Sequence, residues 1–351
     1  MLTAAFIGAL ASACRGQQAT APIAFSLRPG ITVEQRRLAL AEFIPAAMRR
    51  AHVPGLAVAL VDGGRVAWTQ GFGLANSFTR RPVTPDTPFE AASLGKTITA
   101  YAALRLVEEG KLDLNRPLSF YLTKKFVADT QYRDRITAIT VLTHTSGLSN
   151  NLVESEHHVA FEPGRRFSYS GVGFMYLQAV IEEVTHEGFN QFVADTIFTP
   201  LQMSSSSYLR SSCEQRMARG HLDMLGLAMP MPYFPIVQPN AANLLCSTAS
   251  DLARFEAELM TPTLVNPQRV DEMMSPRVQV GGKVWWGLGI GLLRRTDGLC
   301  FWHWGDNLDF ESYMLGCRDA KVGVAVMTNG SRGLGVAREI AARALGGGAS
   351  P

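Results

Sequence analysis

Ser93 and Lys96, in the run Ser93-Leu94-Gly95-Lys96, are the residues whose types and spacing most directly suggest chemistry. Positions three apart share a helix face, so the Lys96 amine can reach the Ser93 hydroxyl. A serine is a weak nucleophile until a neighbouring base takes its proton. A lysine can be that base only when burial or nearby charge lowers its pKa. The pair therefore predicts acyl transfer, provided that other groups support it. Competing motifs fail. Gly95-Lys96-Thr97 has the end of a phosphate loop, but Glu90 stands where that loop needs glycine. Neither G-x-S-x-G nor H-E-x-x-H occurs. His157-His158 and His186-Glu187 read as solvated surface rather than metal ligands, and neither a metal nor an organic cofactor is expected.

The pattern around the pair supplies candidate supporting elements. Thr32 and Gln35 have capping-box spacing, and Leu38, Leu40, Phe43, Ile44, Ala47 and Met48 give a helical rhythm that stops before Pro54-Gly55. LAVALVD and RVAWTQGFG flank Asp62-Gly63-Gly64, a hairpin signal. Ser93 to Glu109 reads as a helix stopped by Gly110. From about 115 to 275 the helical patterns are broken by loops rich in proline and serine. Strand patterns return in VWWGLGIGLL, LCFWHW, FESYML and VGVAVMT, before a helix from about Gly335 to Leu345. Strands at both ends with helices between them imply one α/β (α+β) domain interrupted by a mostly helical insertion. The expected boundaries are a lead at 1–29, a sheet domain from 30–114 plus 276–345, an insertion at 115–275 and a tail at 346–351.

The chain has 351 residues, 47% apolar and 18% charged, with a net charge of +3 and no basic block. That composition suits a sizeable core and gives no reason to expect a nucleic-acid partner. No run reaches the roughly 18 apolar residues of a membrane-spanning helix. Leu2 to Ala13 is a short apolar run closed by small residues before Cys14, the pattern of an export signal and, with that cysteine, of a lipoprotein cleavage site. Export to the periplasm or medium is expected, with membrane attachment through lipidated Cys14 a further expectation; an undocked N-terminus is the alternative. Of the other cysteines, Cys300 and Cys317 end strand-like runs that a ladder could bring opposite each other. They would be either a disulfide or two buried thiols.

The motifs, in their order, resemble the serine β-lactamase and penicillin-binding-protein superfamily, in particular its class C β-lactamase, family VIII esterase and D-alanyl-D-alanine peptidase branch. The resemblance runs from about residue 30 to 345 through VPGLAVALVDGGRVAWTQGFG, TPFEAASLGKTITAYAALRLVEEGKLDL, ITVLTHTSGL, FSYSGVGFMYLQAVIEEVT, CSTASDLARF, HWGDNLDFESYML and VGVAVMTNG. It implies an antiparallel sheet flanked by helices with an inserted, mostly helical domain, and that Ser93 is the acylated nucleophile, Lys96 its general base, and Tyr169 the phenol that shuttles a proton to the leaving group. His303-Trp304-Gly305 would be the strand lining the substrate cleft, and His303, Gly305, Asp306, Ser170 and Gly171 would be the substrate-binding residues. The backbone N–H groups of Ser93 and Asp306 would form the oxyanion hole.

Two departures bear on substrate. Gly171 stands where β-lactamases carry asparagine, and His303 replaces a lysine, removing a fixed positive charge that would attract a β-lactam carboxylate. The expected function is an exported serine hydrolase acting through an acyl-enzyme on small esters or amides. The alternatives are a slow-turnover penicillin-binding sensor, a true β-lactamase or a D-amino-acid peptidase. Met229 to Pro235, aromatic and proline-rich, is either a cleft wall or an ordinary loop.

Overall fold

Thr32 accepts the N–H of Gln35, and the Gln35 side chain accepts the N–H of Thr32, so the expected capping box opens helix α1 (Val33–Ala51). The structure, a computed structural model, describes residues 21–28, 30–152, 156–232, 238–296 and 298–346. Cys14 and the expected export signal lie outside the described residues, as do residues 233–237, which include the last three of the Met229 to Pro235 segment, and the last five positions.

After α1 come β1 (Gly55–Asp62) and β2 (Arg65–Asn76), joined through Gly63 and Gly64. Both glycines have positive φ, 59° and 73°, the geometry of a two-residue turn matched to strand twist. β3 (Arg81–Pro82) and β4 (Phe89–Ala92) follow, then α2 (Gly95–Glu108). The middle of the chain carries α3 (Ala138–Leu142), α4 (Val172–Thr185), α5 (Phe189–Val193), the hairpin β5 (His221–Met224) and β6 (Leu227–Pro230), β7 (Leu245–Ser247), α6 (Ala249–Met260) and α7 (Pro267–Met273). The C-terminal part is β8 (Val278–Gly281), β9 (Val284–Trp286), β10 (Gly291–Arg295), β11 (Gly298–Asp306), β12 (Glu311–Cys317), β13 (Val322–Thr328) and α8 (Gly333–Ala344).

Among the described residues nine strands form one antiparallel sheet in the order β3-β2-β1-β13-β12-β11-β10-β9-β8. Strand β1 is buried on both faces, which is why it reads as a nearly unbroken apolar run. Leu56, Val58 and Leu60 pack with Leu40 and Ile44 of α1 and Ile340 of α8. Ala57, Ala59 and Val61 face the core shared with α2 and α6. The sheet thus joins the first and last parts of the chain, and helices cover both faces, as expected.

Two local expectations change. The run VWWGLGIGLL is two strands, because residues 287–290 turn, with the N–H of Gly287 on the carbonyl of Ile290. The helix expected from Ser93 begins at Gly95, and Ser93 sits in the tight turn before it. Cys300 and Cys317 are register partners on β11 and β12 and form a disulfide. A second disulfide, Cys213–Cys246, has no counterpart among the sequence expectations. It joins residues far apart in sequence that no local pattern connects.

Candidate active site

Strand β4 ends in Ala92, whose φ of 51° is left-handed, and the chain then turns into α2. The carbonyls of Ala91 and Ser93 accept the N–H groups of Leu94 and Lys96, at 3.2 and 3.1 Å. This turn presents Ser93 half-buried while keeping the three-residue spacing that brings Lys96 back to it. Lys96 Nζ donates to Ser93 Oγ at 2.9 Å and to the carbonyl of Ala242. Ser93 Oγ in turn lies 3.4 Å from that carbonyl.

Lys96 is 2% exposed, and among the described residues no carboxylate is hydrogen-bonded to it. Burial without a compensating anion disfavours the ammonium form and lowers its pKa to about 7. The amine also lies 4.9 Å from the centroid of the Tyr169 ring and 5.8 Å from that of Phe174. The structure therefore brings Ser93, Lys96 and Tyr169 together.

Tyr169 lies in the short segment that leads into α4. The hydroxyl of Ser170 donates to the carbonyl of Ser149 at 2.8 Å and accepts the N–H of Gly173 at 3.0 Å, so Ser170 fastens the segment to its surroundings. The N–H of Gly171 donates to Asn150 Oδ1 at 2.7 Å. A Cβ at 171 would lie 2.6 Å from Leu152 Cδ2 and 3.0 Å from Asn150 Oδ1. Leu152 and Asn150 thus occupy the space beside residue 171, and an asparagine there could not enter without moving them.

On the opposite side, β11 carries His303, Gly305 and Asp306. A Cβ on Gly305 would lie 2.1 Å from the carbonyl oxygen of Ala91 and 3.0 Å from Ala92 Cβ, so only glycine lets this strand approach the Ser93 turn so closely. Ser312, the register partner of Gly305, donates to the same Ala91 carbonyl at 2.7 Å. His303 is fully buried; its Nδ1 lies 2.7 Å from the carbonyl of Trp304, and its ring centroid is 6.4 Å from that of Tyr169. Burial first, then the charge of Lys96, pushes its pKa down to about 3, so the ring is neutral at pH 7. Burial likewise raises the carboxyl of Asp306, whose Oδ1 accepts the N–H of Leu308 at 3.0 Å.

Several site groups were not singled out from sequence. The carbonyl of Ala242 meets both Ser93 and Lys96, yet an alanine carries no side-chain signature for such a role. Its loop is held by Gln178 of α4, which accepts the N–H of Ala241, and by Asn240, which accepts that of Ala242, both at 2.8 Å. Asn307 donates to the carbonyl of Asn243 at 2.9 Å and to the buried carboxylate of Glu90, which also pairs with Arg210 at 3.2 Å. His144 and Trp286 pack round Tyr169, with ring centroids at 4.2 and 6.3 Å from it. Among the described residues, no group of three or more histidines, cysteines and carboxylates is placed to hold a metal ion.

A family model described as Beta-lactamase matches residues 40–348. Protein flp of Staphylococcus aureus (strain MW2) is 25% identical over 190 residues, covering 48% of this chain and 38% of that protein. The chain therefore spans well under half the length of that relative. Penicillin-binding protein 4 of Amycolatopsis lactamdurans is 28% identical over 225 residues, covering 58% of each chain. In three dimensions the chain is similar to the octameric penicillin-binding protein homologue from Pyrococcus abyssi, with a TM-score of 0.78 and 26% identity over 88% of this chain and 76% of that one.

Proposed function

Because the chain belongs to the Beta-lactamase family, we propose that it is an exported serine hydrolase that turns over small esters or amides through an acyl-enzyme on Ser93. The observation that carries this reading is the buried Lys96 amine, 2.9 Å from Ser93 Oγ with its pKa lowered to about 7. A lysine at its ordinary pKa would be neutral in fewer than about one molecule in a thousand at pH 7, whereas this one is neutral in about half.

Neutral Lys96 takes the hydroxyl proton as Ser93 Oγ bonds to the substrate carbonyl carbon. The resulting oxyanion is held by the backbone N–H groups of Ser93 and Asp306, donors that act only as charge develops. Collapse of the intermediate expels the leaving oxygen or nitrogen, which receives the proton from Lys96 by way of the Tyr169 phenol. Water then attacks the acyl-enzyme, gives its proton to the same pair, and Ser93 leaves with a proton restored. Esters are favoured because an alcohol needs less protonation to depart than an amine does. A neutral His303 and the absence of a side chain at Gly171 leave little to attract an anionic acylamino substrate. Export agrees with the apolar leader and with two disulfides, which persist in oxidising compartments. Attachment through lipidated Cys14 belongs to the same proposal.

Hydrolysis of p-nitrophenyl butyrate and of a chromogenic cephalosporin by the wild type and Ser93→Ala tests the reading. Ester turnover that exceeds cephalosporin turnover and vanishes in Ser93→Ala is expected. A stable penicillin adduct with no turnover of either substrate would replace the hydrolase with a sensor, and full activity in Ser93→Ala would overturn the assignment.

A further inference from the structure

His144 follows the C-terminus of α3 in a left-handed conformation, with φ of 54°. Its N–H donates to the carbonyl of Val141 at 3.0 Å, and the N–H of Thr145 donates to that of Thr140 at 2.8 Å. This is the turn that closes a helix, at a place where glycine has the least strain. A buried imidazole stands there instead, 0% exposed.

That imidazole and its backbone grip the Tyr169 segment at three points. The carbonyl of His144 accepts the N–H of Ser168 at 2.7 Å, and its Nδ1 accepts the N–H of Ser170 at 3.0 Å, so the two residues flanking Tyr169 are both tied to His144. The imidazole also lies against the phenol ring, with centroids 4.2 Å apart and planes 30° apart. Trp286 backs the imidazole at 5.2 Å, and its indole N–H donates to the carbonyl of Leu142 at 3.2 Å, fixing the wall to the end of α3.

A backbone N–H can only donate, so Nδ1 of His144 is unprotonated and the neutral ring carries its hydrogen on Nε2. That nitrogen is buried and has no hydrogen-bond partner among the described residues. Burial, together with Lys96 and His303, holds the imidazole pKa well below its ordinary value, in keeping with the neutral form. A strained backbone and an unsatisfied donor are both costly, and they occur together where the ring touches the phenol.

We propose that His144 is a positioning residue whose neutral ring clamps the Tyr169 segment and holds the phenol against Lys96. The inference rests on the acyl-enzyme reading above. It goes beyond that reading by assigning part of the phenol's placement to a side chain that touches neither the substrate nor the serine. A glycine would serve the helix terminus with less strain; only a side chain with an acceptor at the Nδ1 position also ties down Ser170.

The experiment compares His144→Leu, which removes that acceptor, with His144→Asn, whose amide oxygen can replace it. Each is made in the wild type and in Tyr169→Phe, and hydrolysis of p-nitrophenyl butyrate is followed. In His144→Leu, kcat is expected to fall about a hundredfold, the scale of a misplaced catalytic group, with KM changed less than about twofold. His144→Asn should recover to within about tenfold of wild type. In Tyr169→Phe, replacing His144 by Leu should change the residual kcat less than about twofold, because the phenol it positions is gone. A folded His144→Leu with wild-type kcat, a loss confined to KM, no rescue by Asn, or a full further loss in Tyr169→Phe would each overturn the proposal. If His144→Leu fails to fold, the same readings on His144→Gly, whose backbone suits the turn, decide between the same outcomes. Ser93→Ala measured alongside separates the two readings. Wild-type activity there removes the acyl-enzyme itself, whereas an inactive Ser93→Ala beside an unaffected His144→Leu removes the role of His144 alone.

Discussion

At the scale of single residues, Lys96 sets both reactivity and a stability cost. Its pKa of about 7 predicts that kcat/KM for an ester rises with pH through about 7, as the amine loses its proton and becomes a base. Lys96→Arg, which cannot deprotonate, should abolish turnover and with it that acid limb. The stability effect follows from the same shift. The folded amine titrates near 7 and the unfolded one near 10.5, so between those values the unfolded chain binds more protons. Stability therefore rises with pH across that window, and the penalty of the buried ammonium is fullest below pH 7. Lys96→Met should be inactive yet gain about 2 °C or more in Tm at pH 6, a gain that shrinks by pH 10. Thermal melts of both proteins at the two pH values check this, and a Tm unchanged or lowered at pH 6 contradicts it. The Ser93-Lys96 pair was legible because its meaning lies in residue type and spacing. Ala242 and His144 were not, since one contributes a backbone carbonyl and the other depends on a turn that only the folded chain reveals.

At the scale of elements, the site depends on how closely β11 approaches the turn between β4 and α2. Gly305 allows that approach, and Gly305→Ala would drive a Cβ into the carbonyl of Ala91. The expected result is a destabilisation of about 1–3 kcal/mol by chemical denaturation, together with a fall in kcat larger than any change in KM. Wild-type kcat in a folded Gly305→Ala would mean that the strand does not set the geometry at Ser93. The elements legible in sequence were those with a complete local signature: the capping box of α1, the glycine turn between β1 and β2, and β13, whose apolar run matches its observed length. The sequence pattern places the start of α2 two residues before its observed one, because Ser93 and Leu94 already make helix-like turns without belonging to the helix. Strands β9 and β10 are one run in sequence because tryptophan, leucine and isoleucine continue across residues whose backbone turns.

At the scale of the whole molecule, both ends of the chain build one sheet, and the middle returns through β7 and the Ala242 loop to complete the site. Long-range ties stabilise that arrangement. Cys300 and Cys317, 17 positions apart, clip neighbouring central strands, and Cys213–Cys246 joins the segment before β5 to β7. Replacing Cys300 and Cys317 by serine should cost about 3 kcal/mol, read as a lower denaturation midpoint for the double variant, whereas an unchanged midpoint would show that the bond adds nothing. The antiparallel sheet and its helical insertion were legible from the order of motifs. The pairing of Cys213 with Cys246 was not, because their proximity exists only after the middle of the chain has folded back. The whole account turns on a covalent bond to Ser93. Rapid acid quenching during turnover of p-nitrophenyl butyrate, followed by intact-mass and peptide mass analysis, measures it directly. The account predicts one butyryl group on the peptide containing Ser93, absent in Ser93→Ala; wild-type turnover with no adduct in the presence of excess substrate, or an adduct on another residue that persists in Ser93→Ala, would contradict it.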